Sequence, residues 1–547
     1  MSRIDQKSFL YNFYRLGDMD TRKTKIISKF ILSIFMAWGF LSAVNFASGQ
    51  NPPLLEITID EVHSSLSSGR VTCRSLVEFY LERIEAFDQQ GPILNSIQHI
   101  NEAVLDEADA LDLFYSHSGF KGPLHCIPIL LKDQVEVGEM PTTYGSAVFA
   151  GFVSGRDATI VSRMKEAGAI IIAKTTMGEF ASRYIGSAFG IARNAYDPTR
   201  NPSGSSAGTG IGVAANFGLI GIGEDTGGSI RGPASVHNLV GLRPTVPLVS
   251  RFGMMPANPT NDTLGPIART VTDAAILLDV IAGYDSNDPV TAYSVGNIPN
   301  SYRDFLVLDS LRGARIGVIR QSMDPSTDPE SEDFQKVRDV IDLAIEKIES
   351  LGAILVDPAE FPLMEIVHET YGNNNYETEE AINEYLANLP GSPVSSLGEI
   401  LLQGKVTPWR ASDLMGVIGR STQDPGYLQF MLARETIREA VLAYMAEAQL
   451  DALIYATFDH QTTLIAPDAL SNSDTKDAYG RGNNRRLSPL VAFPAITVPA
   501  GFTVDGLPVG IEMLGRAFSE GMLLGFAYDY EQSTNHRKLP SSTPSLE

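Results

Sequence analysis

Hydrophobic positions along this chain alternate between helical spacing and short continuous runs. Residues 75–88 place their apolar side chains on one face of a helix. Residues 127–131 form an unbroken apolar run, which is typical of a buried strand. Further helix-and-strand pairs are predicted at 157–167 with 169–172, 206–217 with 219–223, 333–351 with 353–356, and 433–449 with 452–456. This alternation predicts an α/β fold in which helices pack on a large sheet.

The middle of the chain differs in composition from the rest. Between about 300 and 450, Pro, Asn and acidic residues are mixed with long helical stretches, and we expect a helical insertion that covers the sheet near the substrate. The α/β pattern returns from Asp451 to Glu531, with predicted strands at 493–499 and 506–511. The predicted organisation is therefore one domain over residues 50–547 that carries this insertion.

The first 49 residues have the layout of a targeting segment. Basic residues between positions 22 and 29 precede residues 30–46, which carry no charge and are mostly apolar, and small residues follow at 47–49. The run is shorter than the roughly 20 apolar residues that a membrane-spanning helix needs. Residues 1–49 are therefore predicted to be a signal peptide of a secreted or periplasmic protein. An uncleaved N-terminal anchor is the alternative, and it alone would give the protein a membrane partner.

Charge and cysteine content exclude several classes of function. The formal charge of −23 repels nucleic acid, so no nucleic-acid partner is expected. Neither CxxC nor HExxH spacing is present, and no metal or other cofactor is expected. Cys73 and Cys126 are too few for a disulfide framework in so long a chain, and two buried free thiols are favoured over a single bridge.

Two serines and a lysine carry the candidate chemistry. Ser205 lies in a Gly/Ser-rich segment, 201–209, and Ser229 follows a pair of glycines in segment 223–231. Lys132 ends the apolar run 127–131. A serine nucleophile needs a base and hydrogen-bond donors for the developing oxyanion, and these segments supply both without a histidine. The pattern indicates acyl transfer.

These segments, in this order, resemble the amidase signature family. The matching pieces are residues 122–128 with 131–133, 141–146, 203–209, 225–231, 493–495 and 506–510, within a span of roughly 56–533. The resemblance implies a large mixed central β-sheet flanked by helices, and an amide hydrolase with a Ser–cis-Ser–Lys triad. It also implies that residues 50–547 are an amidase domain.

Roles follow from the resemblance residue by residue. Ser229 would be the nucleophile that forms the acyl-enzyme. Ser205, in a cis peptide with Gly204, would pass the proton of Ser229 to Lys132, which must be neutral to act as the base. Burial lowers the pKa of a lysine, so the apolar lead-in to Lys132 suits this role.

The resemblance also assigns the surroundings of the nucleophile. The backbone N–H groups expected to form the oxyanion hole are those of Thr226, Gly227, Gly228 and Ser229. Asp225 and Arg231 flank this loop and are expected to brace it as an ion pair, and Ser206 is expected to give further structural support.

Other interpretations stay open from the sequence. Residues 204–208 also fit the G-x-S-x-G elbow, which would make Ser206 the nucleophile, although 197–202 is a poor strand to precede it. The expected function is an exported hydrolase of a linear carboxamide in a small molecule or peptide. The alternatives are the glutamine-hydrolysing subunit of an amidotransferase and a catalytically degenerate binding protein. The sequence leaves the oligomeric state open, a homodimer included.

Overall fold

The computed structural model describes residues 54–372, 375–473 and 481–546. Its strands lie between residues 97 and 514. The predicted signal peptide lies outside the described residues. The strands are β1 (Ile97–Ile100), β2 (Pro128–Lys132), β3 (Ile170–Thr175), β4 (Ile185–Gly186), β5 (Gly190–Ile191), β6 (Ile220–Asp225), β7 (Val240–Arg243), β8 (Thr263–Ala268), β9 (Arg315–Val318), β10 (Ile354–Val356), β11 (Ala452–Ala456), β12 (Ala495–Phe502) and β13 (Pro508–Leu514).

The α-helices alternate with these strands. They are α1 (Ile59–Ser67), α2 (Cys73–Phe87), α3 (Val104–Ser118), α4 (Thr159–Glu166), α5 (Ala207–Ala214), α6 (Arg231–Ser235), α7 (Val271–Ile281), α8 (Glu332–Ser350), α9 (Met364–Tyr371), α10 (Thr378–Ala387), α11 (Leu397–Leu402), α12 (Pro408–Met415), α13 (Pro425–Glu447), α14 (Leu487–Val491) and α15 (Glu520–Thr534). Within the described ranges, none of these helices is long and apolar enough to cross a membrane.

One mixed sheet organises the described part of the chain. It holds eleven of the described strands in the order β1-β3-β2-β6-β8-β7-β12-β13-β11-β9-β10. Strand β2 is parallel to both of its neighbours, β3 and β6, whereas β6 is antiparallel to β8. The mixed α/β sheet expected from the sequence is confirmed. Because helices cover the sheet, β2, β3 and β6 are buried along their whole length and read as apolar runs.

Helix α2 shows how the local sequence sets an element. Thr72 caps its N-terminus in a reciprocal capping box with Ser75, which satisfies backbone N–H groups that the first turn leaves without partners. The apolar face predicted at helical spacing is buried, with Tyr80 at its centre. This face packs α2 into the main hydrophobic core.

The range 300–450, predicted as a helical insertion, also contributes to the sheet. Strand β9 lies between β11 and β10 and is parallel to both, and α8 connects β9 to β10. The helical segment proper runs from α9 to α13, between β10 and β11. The strand predicted at 353–356 is confirmed as β10, whereas β9 has four residues and gives little periodic signal, so the sequence pattern does not identify it.

The two cysteines are joined rather than free. Cys73 begins α2 and Cys126 lies just before β2, and the structure pairs them as a disulfide with a Cα–Cα distance of 5.0 Å. This distance lies within the range of about 4.4–6.8 Å that a disulfide spans. The prediction of two free thiols is therefore wrong, because packing of the helix start against the lead-in to β2 brings together residues 53 positions apart.

Candidate active site

Lys132 ends β2 with its side chain buried among polar partners. Its Nζ donates to Ser205 Oγ at 2.7 Å and to Glu224 Oε2 at 2.7 Å, and the side chains of Lys132 and Glu224 have no exposed surface. Burial lowers the pKa of the Lys132 ammonium, and the charge of Glu224 opposes that shift without reversing it. The structure therefore brings the predicted lysine and the first predicted serine into direct contact.

Ser205 stands where the Gly/Ser segment turns into α5. The peptide bond between Gly204 and Ser205 is cis, as the resemblance implies. A Cβ atom added at Gly204 would lie 1.7 Å from the backbone oxygen of Arg183, so this position needs glycine. The close approach of these two backbone segments fixes where the Ser205 hydroxyl can reach.

Ser206 has a different environment from its neighbour. Its hydroxyl donates to the backbone oxygen of Glu224 at 3.1 Å and accepts from the Glu224 N–H at 3.2 Å. Its own N–H donates to the backbone oxygen of Ser229 at 3.3 Å, and the residue has no exposed surface. Ser206 thus joins the start of α5 to the end of β6 and to the loop that carries Ser229.

Asp225 organises the loop between β6 and α6. Its carboxylate accepts from the N–H groups of Gly228 at 2.6 Å and Ile230 at 3.1 Å. Arg231 pairs with the same carboxylate at 3.1 Å, so the predicted ion pair is present, and Arg243 adds a second contact at 3.2 Å. Burial alone would raise the pKa of Asp225, but the charges of the two arginines outweigh it and hold the pKa well below its usual range.

One predicted oxyanion donor is already engaged. In this structure the Gly228 N–H donates to Asp225, and its place in the oxyanion hole stays a prediction. Gly228 instead supplies a positive φ of 116° that turns the loop, a conformation that glycine adopts easily. The N–H groups of Thr226, Gly227 and Ser229 lie on the same loop beside a cavity.

This cavity has a volume of about 670 Å³ and exposes the loop to solvent. Its wall includes Ser229, Gly227 and Gly204 from the sheet side, and Tyr371, Arg485 and Arg486 from the opposite side. The Tyr371 hydroxyl, at the end of α9, donates to the backbone oxygen of Gly227 at 2.7 Å. A larger cavity of about 820 Å³ lies beside β1 and contains neither serine, so size alone does not identify the site.

Three acidic or basic side chains at this site are missed by sequence reasoning. Glu224 contacts Lys132 directly, and Asp262 lies one hydroxyl away from Glu224, across Thr226. Arg485 Nη1 donates to the Gly228 backbone oxygen at 2.9 Å, and burial lowers the pKa of this arginine to about 10. Glu224 directly precedes Asp225 in the sequence, but nothing in that segment indicates its partner.

Comparison with known proteins agrees with the fold. The family model described as "Amidase" matches residues 75–524. A probable amidase of Arabidopsis thaliana is 32% identical, over 93% of this chain and 95% of its own length. A glutamyl-tRNA(Gln) amidotransferase subunit from Moorella thermoacetica is 31% identical, over 89% of this chain and 99% of its own length.

A solved structure gives the same result in three dimensions. The native peptide amidase of Stenotrophomonas maltophilia superposes with a TM-score of 0.80 at 32% identity, covering 90% of this chain and all of that one. The match of family model and fold extends over the sheet, the helical segment and the cavity wall. The chain therefore belongs to the amidase signature family and is an amide-hydrolysing enzyme.

Proposed function

We propose that this chain is an exported hydrolase that cleaves linear carboxamide C–N bonds through an acyl-enzyme on Ser229. The observation that carries the proposal is the 2.7 Å contact between Lys132 Nζ and Ser205 Oγ, behind the cavity wall that holds Ser229. A buried lysine with a lowered pKa, next to a serine, is the arrangement that activates a hydroxyl without histidine.

Acylation uses the three side chains in sequence. Neutral Lys132 accepts the proton of Ser205, and Ser205 accepts the proton of Ser229 as the Ser229 Oγ attacks the amide carbonyl carbon. The C–N bond then breaks, and the leaving nitrogen takes the proton back through Ser205 from the Lys132 ammonium. The products of this half-reaction are an amine or ammonia and an ester on Ser229.

Deacylation reverses the relay with water in place of the amine. Water attacks the ester carbonyl while its proton passes through Ser205 to Lys132, and Ser229 recovers a proton as the carboxylic acid leaves. During both steps the negative oxygen is stabilised by the N–H groups of Thr226, Gly227 and Ser229. Losing one donor of this kind typically costs about 10²–10³ in rate.

The substrate class follows from the cavity and from the relatives. A cavity of about 670 Å³ that opens to solvent has room for a small carboxamide, an aryl amide or the C-terminal amide of a peptide. A neighbour with 32% identity is named a peptide amidase, which supports testing peptide amides first. If residues 1–49 stay attached as an anchor, lipid amides become the better candidates.

Export is proposed from the basic, apolar and small-residue pattern of the N-terminal segment. The disulfide between Cys73 and Cys126 supports it, since disulfides form and persist in oxidising compartments. Mass spectrometry of the mature N-terminus tests this proposal, because a signal peptide removed by cleavage leaves a chain that begins near Gln50. A chain that retains its first 49 residues contradicts it.

The decisive experiment measures ammonia or amine release from a panel of amides. Ser229→Ala, Ser205→Ala and Lys132→Ala are each expected to lose nearly all turnover while staying folded. Ser203→Ala is the matched control, since Ser203 lines the same cavity without a place in the relay. Full activity of Ser229→Ala together with an inactive Ser206→Ala would instead support the elbow alternative.

A second candidate is a glutamine-hydrolysing component of an amidotransferase, favoured by the 31% identity to proteins of that name. Such a component works beside a partner and an RNA-linked acceptor. The net charge of −23 on this chain disfavours contact with RNA. Ammonia release from free glutamine by the isolated chain, with no release from peptide amides, would support this candidate. A degenerate binding protein would bind an amide without turnover and would not react with a fluorophosphonate at Ser229.

A further inference from the structure

The side-chain hydroxyl of Thr226 lies between two buried carboxyl groups. Its Oγ1 is 2.6 Å from Glu224 Oε1 and 2.7 Å from Asp262 Oδ1. A threonine hydroxyl has one hydrogen to donate. Both short contacts are hydrogen bonds only if one of the two carboxyl groups is itself protonated and donates to Oγ1. The geometry therefore requires one proton more than two ionised carboxylates would hold.

The other oxygen of each carboxyl group indicates where that proton lies. Glu224 Oε2 accepts from Lys132 Nζ at 2.7 Å, which favours an ionised Glu224. Among the residues that the structure describes, the partners of Asp262 Oδ2 are the backbone N–H groups of Ala257 and Asn258, each at 2.8 Å. Burial and the charge of Glu224 raise the pKa of Asp262 to about 7. Asp262 is thus the carboxyl group that carries the proton.

We propose that Glu224 takes up the proton that Lys132 must lose before Lys132 can act as a base, and that the charge of Asp262, acting across the Thr226 hydroxyl, sets how readily Glu224 does so. This inference rests on the proposed function, in which Lys132 is the base. Glu224, Thr226 and Asp262 act through Lys132 and are positioning residues. Together the four residues form what we name the proton cluster.

The proton transfer balances within the proton cluster. An N–H bond of the Lys132 ammonium breaks, an O–H bond forms on Glu224 Oε2, and the products are a neutral amine and a neutral acid. The total charge is zero before and after, so no charge has to enter or leave a region without solvent. Burying a pair of opposite charges costs a large desolvation free energy. This cost reduces the free-energy difference between the charged pair and the neutral pair.

The ionisation state of Asp262 shifts the equilibrium between the charged and the neutral forms of the Lys132–Glu224 pair. If Asp262 loses its proton, its negative charge faces Glu224 across one hydroxyl and acts on Glu224 more strongly than on Lys132, so it raises the affinity of Glu224 for a proton and favours the neutral Lys132–Glu224 pair. Other charged side chains around the proton cluster are already paired: Asp225 with Arg231 and Arg243, Asp133 with Lys174, and Arg251 with Asp288. Because the ionised form of Asp262 favours the neutral pair, activity is expected to be low below about pH 7 and to rise as the pH rises through that value.

Labelling of Ser229 by a fluorophosphonate tests the inference without the natural substrate, since labelling needs only an activated nucleophile. Rates are measured in intact protein between about pH 5 and pH 9. In Asp262→Asn the carboxamide N–H replaces the acid proton toward Thr226, so the rate near pH 6 is expected to stay within about threefold, and the rise through about pH 7 is expected to disappear. In Glu224→Gln the side chain cannot accept a proton, and the rate is expected to fall by about 10² or more.

Glu531→Gln is the matched control, because burial raises the pKa of Glu531 to about 7 as well and this residue accepts from Val271 N–H far from Lys132 along the chain. Its rate and pH profile are expected to equal those of the wild type. If Asp262→Asn does not fold, Thr226→Ser is expected to keep the rate and Thr226→Val to lower it about tenfold, since only serine retains the bridging hydroxyl.

Wild-type rates in Glu224→Gln overturn the inference, as does an Asp262→Asn profile that overlays that of the wild type, or equal rates in the two Thr226 variants. Failure of the proposed function gives a different result. In that case the wild type is not labelled at Ser229, or Ser229→Ala is labelled as fast as the wild type.

Discussion

The hydroxyl of Tyr371 donates a 2.7 Å hydrogen bond to the backbone oxygen of Gly227, which ties the end of α9 to the loop that carries Ser229. A Cβ atom at Gly227 would lie 2.6 Å from that hydroxyl, so the two residues are in close contact. The helical segment between β10 and β11 therefore positions the loop that carries Ser229 as well as covering it.

Removing this hydroxyl in Tyr371→Phe is expected to lower kcat by about 3- to 10-fold. One hydrogen bond contributes roughly 0.5–1.5 kcal/mol, and its loss leaves the loop less well aligned. The comparison needs kcat and KM on one amide, together with a thermal melt. Tyr427→Phe is the control, because its hydroxyl contacts Glu377 instead of the loop. An unchanged kcat in Tyr371→Phe would mean that the loop needs no support from α9.

Gly204→Ala is expected to abolish activity. The added methyl group would meet the backbone of Arg183 at 1.7 Å, so either the serine segment or the facing backbone must move. Gly372→Ala provides a control at the same cavity, since nothing lies within 4 Å of the position where its Cβ would stand. Circular dichroism separates a local displacement from global unfolding. A fully active Gly204→Ala would show that this backbone approach is unimportant for catalysis.

Asp225→Asn is expected to destabilise the protein by about 3–5 kcal/mol at neutral pH, because Arg231 and Arg243 would lose a buried counter-charge. The pKa of Asp225 is lowered by folding, so its stabilisation is fully present above the unfolded-state pKa of about 4 and is lost as the pH falls below that value. Urea unfolding of wild type and variant at several pH values measures this.

The difference between the two proteins should narrow toward acid pH. An exposed pair, Asp309 with Arg312, offers the matched comparison, and Asp309→Asn is expected to have no measurable effect. A wild type and an Asp225→Asn variant of equal stability at neutral pH would contradict the bracing role of this carboxylate.

Reducing the disulfide is expected to lower the free energy of unfolding by about 4 kcal/mol. The bond closes a loop of 53 residues, and the chain-entropy model gives that amount for such a loop. Thermal melts with and without dithiothreitol measure the change. The double variant Cys73→Ser, Cys126→Ser should melt at the same temperature as the dithiothreitol-treated wild type, with or without the reductant. Two titratable thiols in the native protein would show that the bond does not form.

Local sequence patterns predict the central strands of the fold well. Every residue of β2, β3 and β6 is buried, and apolar residues therefore begin each of these strands. Strand β10 is predicted at 353–356, whereas β9 has four residues and is not separated from its surroundings by the sequence. Pairing with β11 on one side and β10 on the other makes β9 a strand, and β11 lies more than 130 residues away in the sequence.

The candidate site shows the same limit at the level of single residues. Lys132, Ser205 and Ser229 stand in recognisable segments, whereas the contact of Lys132 with Glu224 depends on the parallel pairing of β2 with β6. That pairing brings the ends of two strands together, and neither segment alone reports it. The contact of the Gly228 N–H with Asp225 is missed for a related reason, since the motif does not show that the Asp225 carboxylate turns back to accept it.

The cavity wall combines Gly204, Gly227 and Ser229 on the sheet side with a facing side of Tyr371 from α9 and Asn483, Arg485 and Arg486. Under the proposed function, bond cleavage and substrate choice are carried by separate stretches of polypeptide. Exchange of residues on the facing side can redirect the enzyme to a different amide while the groups that break the bond stay in place. Directed evolution of this protein should accordingly recover new specificities mainly from changes in the facing side, with Tyr371 retained.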